Sequence, residues 1–267
     1  KGLLDAGFTD FGVVQIDAHA DLREAYEGNP YSHASVMKRI VDLDIPLYQL
    51  GIRAFCEEEA KTRKTYGVHH IDADILVPRN MTQAAGFYNT LLQIEQPAIV
   101  IESLNGYGVK ESIPSNLGEF TIALGKIEVV IKGNDVTVIS YGSTLRIVEA
   151  TSKQLEQVGI HIEVIDIQSL IPFDLNEDIR DSILKTNRLL IVDEDVPGGA
   201  SSYILQQLIE KQNIYSLLDS APQLLSAKAH RPAYGGDGDY FSKPSEDDIF
   251  EAVYAIMHEA NPIKFPL

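Results

Sequence analysis

The 267 residues carry 22 Lys and Arg against 39 Asp and Glu, a formal charge of −17. So acidic a chain excludes a nucleic-acid groove or a docking face for anionic membranes, because both need a basic surface. The balance predicts a soluble, acidic, cytoplasmic protein. A hydrophobic content of 45% and an aromatic content of 8% suit a globular core rather than disorder. The length allows one large or two ordinary domains. The one cysteine, Cys56, supports neither a disulfide framework nor a Cys-based zinc site. No apolar run reaches about 18 residues, the length of a spanning helix. The opening "KGLLDAGFTDFG" lacks the charged-then-apolar pattern of a signal peptide, and it lacks an initiator Met, as a cut end would.

In chain order, "FGVVQI" (11–16) reads as a buried strand, and Ser32 is placed to cap a helix through "HASVMKRIVDL". "LYQLGI" (47–52) reads as a strand, "CEEEAKTRKTYG" (56–67) as a polar helix ending at Gly, and "GVHHIDADIL" (67–76) as a third strand. These are βα units of a parallel sheet. The texture changes near residue 78, with a loop and then a helix in "VPRNMTQAAGFYNTLLQIEQ" and an apolar strand in "PAIVIES" (97–103). Gly, Pro and Asn make 105–120 a linker. Beyond it the spacing predicts a strand at 135–142 and a helix at 143–159 that stops at Gly159. A strand at 161–170 leads to a helix from 174, with Asp174 and Glu177 in capping-box spacing. A strand at 188–195, a helix entered through Gly198-Gly199 and a capped helix at 245–260 complete an α/β pattern.

The chemistry concentrates in Asp17-Ala18-His19-Ala20-Asp21. In an extended segment Asp17, His19 and Asp21 point the same way, so two carboxylates and an imidazole converge beyond a strand's C-terminal end. Such donors suit Mn²⁺. His33, at the start of the next helix, is placed to move a proton. The same residues also fit a plainer role, with an Asp capping the following helix and His19 on a loop. Three further features carry open alternatives. Gly198-Gly199 is an anion-receiving turn or only a tight strand-to-helix connection. His230-Arg231 is a partner contact or a solvated loop. "DEDVP" (193–197) is an acidic strand end at the candidate site or only a helix cap.

"IDAHADLR", "SHASVMKR" and "LGIRAFCEEEA" resemble the ureohydrolases, arginase and above all agmatinase, over residues 8–76. The resemblance implies a binuclear manganese centre with Asp17, His19 and Asp21 as metal ligands and His33 in proton transfer. A hydroxide bridging the metals would attack a guanidinium carbon. The family's upstream G-G-D-H segment has no counterpart here. Its downstream Asp motif is approached only by "DADILVP" (72–78), where Val77 replaces the third Asp; "GGDG" (235–238) lacks the His.

Residues 78–262 resemble a second family, the β subunit of 2-oxo-acid dehydrogenase E1, through "VPRNMTQAAGFYNTLL", "PAIVIESLNGY", "DVTVISYGSTLRIVEA", "EVIDIQSLIPFD", "KTNRLLIVDEDVPGGASSYI" and "AHRPAYGGDGDYFSKPSEDDIFEAVY". That resemblance implies oxidative decarboxylation of pyruvate or a branched-chain 2-oxo acid with thiamine diphosphate and Mg²⁺. The implied partners are an E1 α part and an E2 acyltransferase, in an oligomer. The family's activating Glu lies upstream of the matching region, and Glu102 does not take its place, so no cofactor-binding residue is assigned.

The expected fold is therefore α/β with three-layer parallel sheets. It comprises a partial ureohydrolase-like segment (1–77), the tail of a pyrimidine-binding-type domain with a linker (78–124) and a transketolase C-terminal-like domain (125–267). The chain looks like a fusion or chimera joined near 70–78. A natural fusion, a cloning product and a mis-assembled gene all fit that pattern. The expected functions are a partial E1-β-like component, a Mn-dependent ureohydrolase releasing urea, or a non-catalytic chimeric product. The unpaired edge of the first sheet is expected to meet the strand at 97–102.

Overall fold

The computed structural model describes every residue except 1, 53, 95, 104, 105, 113, 231–240 and 267. Two compact units result, one from residues 1–74 and 94–99, the other from 75–93 and 100–267. No helix among the described residues is long and apolar enough to cross a membrane.

In the first unit, a short helix α1 (Gly2–Asp5) precedes β1 (Val13–Ile16), β2 (Leu47–Ile52) and β3 (His69–Asp72), which form a parallel sheet in the order β1-β2-β3. Helices α2 (Val36–Val41) and α3 (Glu57–Tyr66) follow β1 and β2. Leu47, Ile52, Val41, Ala20, Leu22 and Val68 make the small core. Ser32 stands at the helix entrance but makes no capping bond; its hydroxyl meets that of Ser35, and the chain begins with a 3-10 turn. The cap of α3 is built from Glu59, whose carboxylate reaches back to the Cys56 N–H at 2.8 Å. The predicted strand at 67–76 is two strands in different sheets, β3 and β4 (Asp74–Leu76), separated by the buried Ala73. The strand β5 (Ala98–Val100) does not pair with the β1-β2-β3 sheet, contrary to the sequence expectation. The Asp74 N–H donates instead to the Pro97 carbonyl.

The second unit holds a five-stranded sheet ordered β11-β10-β7-β8-β6. Strands β7 (Val136–Ser140), β8 (Ile162–Asp166), β10 (Leu189–Val192) and β11 (Gln223–Leu225) are parallel. The strand β6 (Glu128–Ile131) is an antiparallel edge. Every residue of β7, β8 and β10 is buried, as expected of parallel strands covered on both faces. One face packs on α5 (Thr144–Gln157) and α8 (Glu246–Ala260) through Val136, Val138, Leu145, Val148, Ile249 and Val253. The other packs on α6 (Asp178–Thr186) and α7 (Ala200–Gln206) through Ile139, Ile165, Ile179, Ile183 and Ile204. The result is a three-layer α/β sandwich.

Two details depart from the sequence pattern. The predicted strand at 161–170 breaks at Gln168, which takes a left-handed φ of 60°. It resumes as β9 (Ser169–Ile171), whose Ser169 and Ile171 pair antiparallel with Leu76 and Ile75. At α6 the cap is Asp174, which accepts the N–H groups of Asp178 and Ile179 at 3.0 Å each. Glu177 is left-handed and returns no bond, so the expected reciprocal box is half made. The helix α4 (Met81–Leu91) is capped by the Asn80 side chain.

Candidate functional site

The Asp17–Asp21 segment leaves the C-terminal end of β1, where the sequence predicts it. Beneath it runs a polar ladder. Arg63 on α3 holds Asp72 with two guanidinium nitrogens and donates Nε–H to Gln49 at 2.9 Å. Gln49 donates to Gln15 at 2.6 Å and to the Ala20 carbonyl, and Gln15 donates to the Asp21 carboxylate at 3.2 Å. Glu59 takes the Leu22 N–H at 3.0 Å. These residues were not singled out from sequence, although a glutamine at the centre of each of two apolar strands ("VVQI", "LYQL") is the available signal.

The ladder fixes the loop, but it does not gather its donors. Asp17 turns back on its own segment. It accepts the His19 N–H at 2.9 Å, which lowers its pKa, and lies 3.5 Å from the His19 ring. Asp21 adopts φ 51° and faces Gln15; burial raises its pKa, and the Asp17 charge adds to this. His33 is exposed and packs edge-on against Tyr26 at 5.4 Å. Among the described residues no three His, Cys, Asp or Glu side chains are placed to hold a metal ion.

The second unit has a cleft of about 610 Å³ at the C-terminal ends of β7 and β10, the location where open parallel sheets usually bind ligands. Arg79, Ser143, Arg146, Glu194, Lys243 and Ser245 line it. Each cation there has an acidic partner: Arg79 with Glu128 and Asp166, Arg146 with Glu111, Lys243 with Glu194. Gly198-Gly199 is a turn closed from within. The Ser201 N–H donates to Asp193 at 2.8 Å, and a Cβ on Gly199 would strike the Asp195 carboxylate. "DEDVP" thus caps α7, and the Asp193 and Asp195 carboxylates at the turn repel an added anion. Glu102 takes hydroxyl bonds from Tyr88 and Tyr107. His230 is exposed; Arg231 and "GGDG" lie outside the described residues.

Residues 125–235 match the family model described as transketolase, C-terminal domain. Residues 1–97 match the arginase family. Matches to two different family models therefore meet in one chain. The curated relatives include the pyruvate dehydrogenase E1 component subunit beta of Mesostigma viride, 34% identical over 174 residues, covering 65% of this chain and 52% of that protein. The subunit of the same name from Chlorokybus atmophyticus is 35% identical over 170 residues, covering 64% and 50%. The chain spans about half the length of the curated relatives it matches. A solved structure titled "Split gene transketolase, inactive beta4 tetramer" aligns with a TM-score of 0.55 at 16% identity, over 95% of this chain and 94% of that one. That likeness establishes a shared fold.

Neither implied cofactor fits the side chains as placed. A dinuclear manganese site needs several converging anionic donors, and Asp17, His19 and Asp21 bond to their own segment instead. Thiamine diphosphate needs unspent positive charge or a Mg²⁺ site for its diphosphate. The cleft's cations are already neutralised, and Glu246 and Asp247 add further negative charge to its lining.

Proposed function

We propose that the chain is a partial E1-β-like component of a thiamine-diphosphate-dependent 2-oxo-acid dehydrogenase acting on pyruvate or a branched-chain 2-oxo acid. Its transketolase-type domain would serve subunit assembly and docking of the E2 acyltransferase. One observation carries this reading. The similarity to pyruvate dehydrogenase E1 β subunits covers a unit with a complete sheet, two covered faces and internally paired cations. Such a unit is built to hold shape for a partner rather than to supply chemistry itself. Thiamine diphosphate provides the decarboxylation chemistry when bound, and the α part would hold it with Mg²⁺. Under this reading the chain is expected in the cytoplasm, which subcellular fractionation tests.

The decisive experiment mixes the full chain with an E1 α subunit, and separately with E2, and follows co-elution by size exclusion. Co-elution with either supports assembly; elution of the chain alone in both overturns it. Calorimetric titration of the isolated chain with thiamine diphosphate should release no heat of binding.

The arginase match favours a second reading, a Mn-dependent ureohydrolase using Asp17, His19 and Asp21 as ligands and His33 in proton transfer. Metal analysis after dialysis against Mn²⁺ decides it. Retained manganese together with urea released from agmatine would establish this reading, and a metal-free chain removes it. A chain failing every one of these tests would be the non-catalytic chimeric product.

A further inference from the structure

The helix α4 presents an apolar stripe that nothing in its own unit covers. Its inner face is filled by Gln83, Ala84, Gly86 and Phe87. Gly86 fits so closely under Ile122 and Phe120 that a Cβ would come within 3 Å of both. Asn89 is bonded to the Leu117 and Phe120 carbonyls, and Thr90 to that of Ile122, so the helix is held firmly on the loop that follows. The outer stripe runs Met81, Ala85, Tyr88, Leu92. Met81 is 60% exposed, Tyr88 44% and Leu92 85%. Beside the stripe lies an apolar groove of about 650 Å³ whose far wall is Val109, Pro114 and Leu117.

The intervals between the stripe residues are four, three and four. That is the seam spacing of helices that pair side by side. The stripe is also complementary to its own reverse. In an antiparallel pair centred between Gly86 and Phe87, Met81 meets Leu92 of the second copy, and the small Ala85 meets the large Tyr88 of the second copy. A two-fold contact requires such self-complementarity.

Charge points the same way. The chain carries −17, so two copies repel over most of their surface. Residues 81–92, "MTQAAGFYNTLL", contain no charged side chain at all. Glu102 and Glu111 beside the stripe are already engaged, by Tyr88 and Tyr107 and by Arg146. A stretch of about 17 Å of helix is shorter than a standard interface of about 800 Å² per partner requires, so the contact extends over the groove wall.

We infer that α4 and its flanking groove form a symmetric contact between two copies of this chain, with the two α4 helices antiparallel. This inference does not depend on the E1-β-like reading.

Sedimentation equilibrium of the full chain tests it. At high micromolar concentration the wild-type protein is expected at twice the 29.5 kDa of one chain. Met81→Glu and Leu92→Lys are each expected to sediment as single chains. An equimolar mixture of the two is expected to restore the double mass, because the antiparallel register sets the new Glu against the new Lys. Both positions are exposed, and far-UV circular dichroism checks that each variant is folded. If either is not, Ala85→Glu with Tyr88→Lys forms an equivalent reciprocal pair. A single-chain mass for the wild type, a double mass that survives both substitutions, or a mixture that fails to recover would each overturn the inference.

Discussion

Asp166 lies at the end of β8 with no solvent exposure, and Arg79 is its only ion-pair partner among the described residues. Arg79 Nη1 donates to it at 2.5 Å, Gln83 at 2.9 Å and the Gln168 N–H at 3.1 Å. Arg79 also holds Glu128 through both terminal nitrogens, at 2.8 and 3.0 Å. Burial raises the Asp166 pKa, and the Gln83 and Arg79 bonds only partly offset this. On Arg79, burial opposes the charge, but Glu128 and Asp166 together outweigh it and raise its pKa. Both values rise, so the Arg79 charge is favoured while the Asp166 charge is disfavoured, because the arginine has two carboxylates while the buried aspartate has one cation. Replacing Arg79 with Met keeps the stem's packing and leaves Asp166 an uncompensated buried charge. Removing one member of such a pair costs about 3–5 kcal/mol. The half-exposed Glu128 adds at most about 1 kcal/mol. With a urea m-value of roughly 2–3 kcal/mol/M, the unfolding midpoint of the second unit should fall by about 1–3 M.

The pH dependence has a definite sign. A carboxyl whose folded pKa is raised favours the folded state below its unfolded value near 3.9, and loses that advantage as pH rises through the folded value. The loss in Arg79→Met should therefore be full at pH 8 and shrink on acidification. Adding Asp166→Asn should recover much of it at pH 8, since the amide still accepts the Gln168 N–H. Urea titrations by far-UV circular dichroism, at pH 8 and pH 5, provide the measurement; the chain has no Trp. A midpoint within experimental error of wild type at pH 8, or a loss equal at both pH values, would refute the reasoning.

Three further outcomes follow from single contacts. Asp193→Ala strips acceptors from the Ser201 and Asp195 N–H groups and the Tyr141 hydroxyl, and should lower stability by about 2–3 kcal/mol in thermal unfolding. Glu59→Ala frees the Leu22 and Cys56 N–H groups, costs about 1–2 kcal/mol, and should speed amide exchange at Leu22 more than at residues of the second unit. Gly133→Ala would place a Cβ 2.3 Å from the Ile162 backbone, so backbone must move; a loss of about 3 kcal/mol or more in urea unfolding is expected.

The second unit was the more legible in sequence because its cues were local and consistent. Ser245 and Asp248 form the full capping box that "SEDD" announces, and Gly159 takes the left-handed φ of 76° that its position after α5 requires. The strand β6 escaped notice because "EVVI" lies in a run without alternation, and its antiparallel pairing with β8 is a long-range choice. The strand β11 is three residues long and hangs on β10. In the first unit, motif identity did not carry geometry. "DAHAD" sits at the expected strand end, but the alternation argument assumed an extended segment, and Asp21 has φ 51°. Where side chains point there is set by Gln15 and Gln49, whose importance depends on burial that no linear pattern states.

The two sheets differ in a way that bears on stability. The β1-β2-β3 sheet is parallel, yet alternate residues on one side, Val14 and Ile16 of β1, Tyr48 of β2 and Ile71 of β3, are exposed, Ile16 by 82%. Parallel sheets normally bury both faces, and apolar burial contributes about 25 cal/mol per Å². At Ile16, the most exposed of them, the first unit therefore forgoes roughly 1.5–3 kcal/mol, and at the half-buried Tyr48 and Ile71 less. Its covered face must also carry the polar ladder from Arg63 to Asp21. The β7, β8 and β10 strands have no such deficit. Native-state amide exchange should consequently rank the units, with backbone N–H groups of 47–52 exchanging at least tenfold faster than those of 136–140 and 162–166. Peptide-resolved mass spectrometry at neutral pH reads this directly. Equal protection in the two sheets would mean that the bare face is covered in solution, and the stability argument for the first unit would fall.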